Sequence, residues 1–255
     1  MSIINSSANF YTKKVVKNRD SYFKKSITGH SNDNTTKTLV KLAVDNLKND
    51  NSRLLDIGTG NGYVISEIAK KNKIFGTFYF GVDLSDEMIV EARKKCKTLS
   101  NITILKADNF HLPFEDNYFD VVTNKVVTNF SLSEVHRVLK IGGLFVFKEY
   151  GLYKGFGGII EKFKNRVKTK DPLDYLKEIR ELQFCHCSYD QHFYIKKYKI
   201  IELKQIFLMA PIIRDFTEND MRLIKLGTSG GRMSVISDPF IITAMKGILK
   251  NRKEF

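Results

Sequence analysis

The stretch LLDIGTGNG, residues 54–62, decides the fold class. An apolar run leads into Gly58, Gly60 and Gly62, which is typical of a buried strand that turns tightly into a helix, where bare backbone lets a ligand come close. Asp56 stands two residues before the first glycine, and a carboxylate there would repel a phosphate. The stretch therefore predicts an α/β fold with a ligand at the turn, and the acid restricts which ligand it is.

Residues 53–150 continue with alternating strand and helix signals. The strand-like runs are RLLDIG, TFYFGVDL, NITILKAD, FDVVTNK and GLFVFKEY, and two more are expected in YKIIELKQIFL and PFIITAMKGI. Helices are expected in YVISEIAKK, after a capping Ser85, and in SLSEVHRVLKIGG up to its glycines. The pattern predicts a Rossmann-like, mostly parallel seven-stranded sheet with helices on both faces and a ligand at the carboxyl ends of the strands.

Both flanks differ from this core. Residues 1–50 predict an N-terminal helical cap with helices at 11–23 and 34–47, and residues 51–150 form the cofactor-binding core. Residues 151–255 predict a basic helix around IIEKFKNRVK, a helix from Asp171-Pro172 and the last strands of the sheet. Roughly fifty residues between the fifth and sixth strands exceed the usual loop of about 4–6, so we expect this insert to cover a substrate.

Three ligands could use the glycine turn. A P-loop needs a Lys-Ser or Lys-Thr that is absent, and the dinucleotide motif needs a small residue where this chain has Tyr63. S-adenosylmethionine has no phosphate and carries an ammonium and a sulfonium, so Asp56 can attract it. Asp83 ends the second strand 25 residues beyond Gly58, a separation suited to binding ribose hydroxyls. The residues favour S-adenosylmethionine.

Four segments in fixed order resemble the class I S-adenosylmethionine-dependent methyltransferases, most closely the type 11 branch of ubiquinone and menaquinone biosynthesis enzymes. They are LLDIGTGNG, GVDLS, KADNFHLPFEDNYFDVV and EVHRVLKIGG, within about residues 53–150. The resemblance implies an enzyme that converts S-adenosylmethionine to S-adenosylhomocysteine. It implies contacts of Gly58, Thr59 and Gly60 with the methionine part, Asp83 with the ribose, Leu84, Asp108 and Asn109 with the adenine, and Asn124 near the sulfonium.

Two departures from that family stand out. Its usual Lys-Pro-Gly-Gly is Lys140-Ile141-Gly142-Gly143 here, which alters a turn and no chemistry. After the fourth strand, where relatives often have a histidine, this chain has VVTNF. A histidine contact with the substrate at Thr128–Asn129 is therefore left open.

Methyl transfer does not require a catalytic base, because its main demand is an aligned acceptor in a dry site. The candidates for a catalytic group are His30, His186, His192 and Tyr22. Cys185 and Cys187, next to two of these histidines, suggest a metal, but the segment lacks the C-x-x-C spacing of a zinc site. We predict no metal.

Charge distribution bears on the acceptor. The formal net charge is +14, and residues 151–255 hold 20 Lys and Arg against 12 Asp and Glu. This excess favours an anionic small molecule or biosynthetic peptide, for example a carboxylate, methylated on an O or N atom. The alternatives are an RNA-directed methyltransferase, or an inactive cofactor-binding protein that binds RNA or a partner.

Location is inferred from what the sequence lacks. We find no secretory leader and no apolar run long enough to span a membrane. Three cysteines, an odd number, fit a reducing compartment. We expect a cytoplasmic protein, and the sequence carries no signal for its oligomeric state.

Overall fold

The computed structural model describes residues 34–127, 129–167, 170–209, 212–225 and 230–247. Its strands are β1 Arg53–Ile57, β2 Phe78–Asp83, β3 Ile102–Lys106, β4 Phe119–Lys125, β5 Leu139–Tyr150, β6 Phe184–Gln191, β7 Tyr194–Lys199, β8 Arg232–Ser237 and β9 Pro239–Lys246. Its helices are α1 Asn34–Asp45, α2 Tyr63–Lys71, α3 Asp86–Cys96, α4 Leu132–Val138, α5 Pro172–Glu181, α6 Ile200–Met209 and α7 Met221–Lys225, with 3₁₀ turns at Ile160–Lys162 and Glu218–Asp220.

One seven-stranded sheet organises the fold, in the order β3-β2-β1-β4-β5-β9-β6. The first five of these strands are parallel, and β9 runs antiparallel to both of its neighbours. The order reverses beside β1, where the chain leaves β1 for β2 on one side and later returns to β4 on the other. Ligands in open α/β sheets bind at this kind of switch point, outside the carboxyl ends of the strands.

Apolar side chains cover both faces of the sheet. On one face, Leu54 and Val121 pack with α1, α2 and α3. On the other, Leu55 and Val122 pack with α4 and α5. Strands buried on both sides show the near-continuous apolar runs noted in the sequence. The predicted Rossmann-like architecture with helices on both faces is confirmed.

The residues beyond β5 build a second, smaller core. The antiparallel pair β7–β8 packs with α6, α7 and the segment 151–167 around a separate apolar cluster, which we call the insert core. Its buried members are Phe156, Ile159, Ile160, Phe163, Tyr198, Leu203, Ile206, Phe207, Ile213, Met221, Ile224, Met233 and Val235. The chain enters this unit at residues 151 and 192 and leaves it for β9 at residue 238, and these three points lie at the carboxyl edge of the sheet.

Several local predictions are confirmed. Helix α1 lies within the predicted 34–47 segment, and α5 begins after Asp171, whose side chain accepts a hydrogen bond from the Leu173 N–H at 2.9 Å. Ser85 caps α3, accepting from the Met88 N–H at 3.3 Å. The other predicted N-terminal helix, at 11–23, lies outside the described residues.

Other local predictions are wrong. The YKIIELKQIFL segment is a strand only to Lys199 and then becomes α6, because Leu203, Ile206 and Phe207 at helical spacing enter the insert core. The predicted basic helix around IIEKFKNRVK is only a 3₁₀ turn. Helix α4 ends at Val138, before the predicted glycines.

The sixth strand was also misplaced. It is β6, in the segment that includes the Cys-His cluster, and the prediction placed that cluster before the strand. The connection after β5 therefore has two parts, residues 151–183 before β6 and residues 192–238 before β9. The exposed side chains of β6, at the edge of the sheet, hide its strand character, since one neighbour and little burial leave no apolar alternation.

Candidate functional site

Every cofactor-binding residue predicted from the sequence lies at the carboxyl edge of the parallel strands. The set comprises Asp56, Gly58, Thr59, Gly60, Asp83, Leu84, Asp108, Asn109 and Asn124, and we call it the cofactor rim. The order β3-β2-β1-β4 places these strand ends side by side. Four segments far apart in sequence therefore meet along one line.

The glycine turn is joined directly to the end of β2. The Gly60 N–H donates to Asp83 Oδ2 at 2.8 Å, and the Ser85 N–H donates to Asp83 Oδ1 at 2.9 Å. Asp83 remains half-buried. A carboxylate oxygen that accepts one backbone bond keeps capacity for another donor. Asp83 is thus held rigidly where it can accept hydrogen bonds from hydroxyls of a ligand.

The three glycines of the turn differ in what a side chain at each position would contact. All three have positive φ, which only glycine adopts readily. A Cβ on Gly58 would lie 2.3 Å from Val127 Cγ2, whereas a Cβ on Gly60 would meet nothing nearer than the Gly58 carbonyl oxygen at 4.0 Å. A Cβ on Gly62 would press on Ala92 of α3 at 3.1 Å. Gly58 and Gly62 serve packing, and Gly60 leaves open space at the rim.

Asp56 makes its hydrogen bonds to other residues of the protein. Its side chain is 2% exposed, with Oδ2 accepting from Thr59 Oγ1 and Oδ1 from Thr123 Oγ1, each at 2.8 Å. Burial raises its pKa to about 6, although both threonine hydrogen bonds lower it. The carboxylate therefore ties the turn to β4. The predicted attraction of Asp56 for a cationic ligand would act through the residues that cover it, because the Asp56 side chain does not face an open surface.

The β3 end contributes Asp108 and Asn109. Asp108 Oδ1 accepts from the Phe110 N–H at 3.0 Å. Asn109 Nδ2 donates to the Asn129 carbonyl at 3.4 Å, but its Oδ1 is buried and has no hydrogen-bond partner among the described residues. Buried polar atoms normally have partners. An orphaned acceptor at the rim fits a ligand that brings an N–H group.

Asn124 holds the turn after β4. It is fully buried, its Oδ1 accepts from the Val127 N–H and its Nδ2 donates to the Val127 carbonyl, both at 3.2 Å. The turn needs this support because Val126 has a φ of 60°, which is costly for a β-branched residue. Asn124 thus sets the position of Val127, which packs on Gly58. A direct contact of Asn124 with a cofactor remains a prediction.

The two predicted catalytic candidates in the described part of the chain, His186 and His192, do not come together at the cofactor rim. His30 and Tyr22 lie outside the described residues. His186 is exposed on β6, close to Phe184, which pairs with Lys246 at the opposite edge of the sheet. His192 lies after β6 at the rim edge, but it is exposed and its Nε2 bonds Asp190 Oδ2 at 3.0 Å. Within the described part of the chain, no three His, Cys, Asp or Glu side chains lie close enough to hold a metal ion.

Two polar side chains near the end of β5, Glu149 of β5 and Tyr175 of α5, were not predicted from the sequence. Glu149 is fully buried and Tyr175 on α5 is 2% exposed. Glu149 Oε2 and the Tyr175 hydroxyl have no hydrogen-bond partner among the described residues. A buried acid at the end of an apolar strand was the available signal, because GLFVFKEY places a glutamate at the carboxyl edge beside β4.

Comparisons with known proteins agree with this geometry. Residues 55–147 match a family model described as a methyltransferase domain. The ubiquinone/menaquinone biosynthesis C-methyltransferase UbiE of Rickettsia prowazekii is 36% identical over 128 residues, 46% of this chain and 51% of that protein. The chain thus spans about half the length of this relative.

Solved structures share the fold over most of the chain. The YcgJ protein of Bacillus subtilis aligns with a TM-score of 0.61 at 17% identity, covering 83% of this chain and 99% of that one. Phosphoethanolamine N-methyltransferase 2 of Haemonchus contortus, solved in complex with S-adenosyl-L-methionine, aligns with a TM-score of 0.62 at 21% identity, covering 93% and 58%.

Sheet order and rim together define a class I methyltransferase fold. More narrowly, residues 55–147 match a methyltransferase domain of the type 11 branch, and the similarity to UbiE extends over 128 residues. The resemblance predicted from the four ordered motifs is confirmed. No helix in the described ranges has the length and apolarity needed to cross a membrane.

Proposed function

We propose that this protein transfers a methyl group from S-adenosylmethionine to an O or N atom of a small-molecule or biosynthetic-peptide acceptor that bears an anionic group, and that it does so in the cytoplasm. The observation that carries the proposal is the hydrogen bond from the Gly60 N–H to Asp83, because it joins the open glycine turn to a rigid acidic strand end. The three free cysteines support a reducing location.

The rim residues fit the cofactor. Asp83 would hold the ribose hydroxyls, the space at Gly60 would take the methionine part, and the orphaned Asn109 Oδ1 would accept an N–H from the adenine. Leu84, half-buried after β2, would pack on the adenine face. When bound, the cofactor supplies an activated methyl group on a sulfonium. The chain's own part is to orient both partners and exclude water.

The insert supports a covered acceptor site. It is attached to the sheet at the carboxyl edge, so its core stands on the same side as the rim. Its exposed cations supply attraction for an anionic group of the acceptor. They include Lys162, Lys164, Arg166, Lys197, Lys199 and Arg232.

The same cations favour the second candidate, methylation of RNA or binding of RNA without catalysis. Phosphate contacts would make that association strongly salt-dependent. Transfer to a small molecule that persists at 0.5 M salt, a level at which phosphate-driven binding falls by orders of magnitude, would favour the first candidate. Loss of all association and transfer at high salt would favour RNA.

Calorimetry with S-adenosylhomocysteine tests the proposal. Asp83→Ala should weaken binding at least about 100-fold, since it removes the acceptor of two backbone bonds and of the ligand hydroxyls. Asp86→Ala is the matched control, because Asp86 is an exposed acid three residues away whose carboxylate pairs with Lys106 at 2.6 Å. Equal affinity of the wild type and Asp83→Ala would reject the ribose assignment.

A further inference from the structure

The carboxyl end of β5 holds a buried acid that the cofactor rim does not use. Glu149 has no exposed surface, and its Oε1 accepts from the Tyr150 N–H at 2.8 Å. Its Oε2 is buried and has no hydrogen-bond partner among the described residues. A buried carboxylate oxygen without a partner is costly, so its presence calls for a donor that is supplied from elsewhere.

A second unpartnered group lies beside it. Tyr175 of α5 packs on Phe147, with ring centroids 4.8 Å apart, and its buried hydroxyl has no hydrogen-bond partner in the described part of the chain. Burial, and then the nearby charges of Glu149 and Glu178, raise the pKa of Tyr175. The hydroxyl is therefore a neutral donor near the carboxylate.

The loop after β5 completes the surroundings. Lys154 Nζ lies 4.0 Å from Glu149 Oε1, and its side chain is only 10% exposed. Asp238 holds this loop, accepting from the Tyr153 and Gly155 N–H groups at 2.8 Å each. Lys154 has a φ of 49°, an unusual conformation that this anchoring maintains. The lysine offsets part of the charge and leaves Oε2 unbonded.

The position of Glu149 relates it to the methyl donor. Phe147 of β5 pairs with Asn124 of β4, and Glu149 follows two residues later on the same face of the sheet. It therefore extends beyond the end of β4, on the side of the rim away from the ribose-binding Asp83. Because Glu149 has no exposed surface, an acceptor on the β5 side of the methyl group would reach this carboxylate only by entering the space between β5, α5 and the loop at Lys154.

We propose that Glu149 and Tyr175 form the polar wall of the acceptor site, with Glu149 Oε2 taking the hydrogen of a reacting N–H or O–H group. This rests on the proposed function and narrows it to amines, alcohols or phenols. A carboxylate as the reacting group is excluded because it would place two like charges together. The anionic part of the acceptor then lies elsewhere, toward the exposed cations of the insert.

The step balances without a further reactant. A lone pair of the acceptor nitrogen or oxygen forms the bond to the methyl carbon, and the carbon–sulfur bond breaks with its electron pair remaining on sulfur. The acceptor proton passes to Glu149 Oε2, and solvent later removes it. Tyr175 donates its hydrogen bond to the acceptor and positions it.

The test uses the full chain with deuterated-methyl S-adenosylmethionine and extract of its source cells, and mass spectrometry locates the label. We expect Glu149→Gln to lower the rate of labelling at least 100-fold and Glu149→Asp to retain more activity with a shifted pH profile. Binding of S-adenosylhomocysteine should stay within twofold in both variants. Glu178→Gln is the matched control, since that glutamate is also near Tyr175 but is partly exposed and paired with Lys170; it should label at the wild-type rate.

Tyr175→Phe keeps the test decisive if the Glu149 variants do not fold, because it removes only a hydroxyl that makes no hydrogen bond to the described residues. We expect it to fold and to label at least tenfold more slowly. The proposal fails if either Glu149→Gln or Tyr175→Phe folds and labels the acceptor at the wild-type rate, because the group that was removed would then have no part in the transfer. A label on a carboxylate oxygen would also overturn it. A wild type that binds S-adenosylhomocysteine but labels nothing would instead reject the proposed transfer and favour the inactive alternative.

Discussion

The cofactor rim and the insert core are built in opposite ways. The rim uses short polar contacts, such as Gly60 to Asp83 and Thr59 to Asp56, between residues set by strand ends. The insert core uses apolar contacts among residues of segments 156–163, 198–207, 212–216, 221–224 and 233–235, and β6 interrupts them in sequence. The cofactor rim therefore depends on backbone position, whereas the insert core depends on side-chain volume. Changes in each region should therefore have different signatures.

The largest expected effect is a loss of stability in the insert core that leaves cofactor binding unchanged. Phe207→Ala removes a ring that is 1% exposed and lies 5.1 Å from Phe156 and 5.4 Å from Phe216, centroid to centroid. We expect the free energy of unfolding to fall by about 3–5 kcal/mol, with affinity for S-adenosylhomocysteine within twofold of wild type below the transition. Urea titration followed by circular dichroism, with calorimetry, measures both.

Phe119→Ala is the matched variant in the sheet, since Phe119 is equally buried and packs on Phe80 and Phe114. It should cost a similar free energy of unfolding and weaken cofactor binding as well, because Phe119 belongs to β4, which carries Asn124. If Phe207→Ala lowered the affinity as much as Phe119→Ala, the two regions would not be independent.

An intermediate effect tests the backbone of the rim. Gly58→Ala puts a Cβ at positive φ and 2.3 Å from Val127 Cγ2. We expect a loss of about 2–4 kcal/mol in unfolding free energy, from the backbone conformation and overpacking together, and at least tenfold weaker binding of S-adenosylhomocysteine.

Gly142→Ala controls for the backbone conformation alone, because Gly142 has a φ of +77° and no atom within 4 Å of the added Cβ. It should cost about 1–2 kcal/mol and leave binding unchanged. Adding Val127→Ala to Gly58→Ala should restore part of the binding. A double variant no better than Gly58→Ala would show that the Val127 contact is unimportant.

The third effect is a pH dependence carried by Asp56. Its pKa is raised from 3.8 to about 6, so folding favours the protonated form. Below pH 4 the carboxyl group is protonated in both states and does not change the free energy of unfolding. As the pH rises from about 4 to 6, the free energy of unfolding falls relative to that of a protein with a neutral side chain at this position, by on the order of 3 kcal/mol in all. Urea midpoints of wild type and Asp56→Asn at pH 4.5, 5.5, 6.5 and 7.5 measure this difference.

The Asp56→Asn comparison also tests the electrostatic argument for the cofactor. The amide can keep both threonine contacts, since Thr123 Oγ1 also lies 3.4 Å from the Leu55 carbonyl and can donate there. If the buried charge attracts a cationic ligand, the variant should bind S-adenosylmethionine more weakly at pH 7.5. A stability difference that stays flat from pH 4.5 to 7.5 would show that Asp56 titrates normally.

The rim was predictable because its signals are local. Strand, glycine turn and acid follow one another within a few residues, and the Ser85 cap and the Asp171 helix start are likewise local in sequence. The β6 strand and the boundary between β7 and α6 were not predictable. Residues 186–190 are exposed at a sheet edge, and the apolar run from Ile200 fits a strand until its burial in the insert core is known.

By itself the sequence determined the five parallel strands of the sheet and the polar residues that end them, because period and turn chemistry act within short segments. Only the tertiary structure decided that Asp56 and Asn124 bond to their own protein, since those partners come from other strands or from a turn with unusual backbone. It also decided that Glu149 Oε2 and the Tyr175 hydroxyl are buried without a hydrogen-bond partner among the described residues, which depends on how α5 packs on β5 and which no stretch of sequence records.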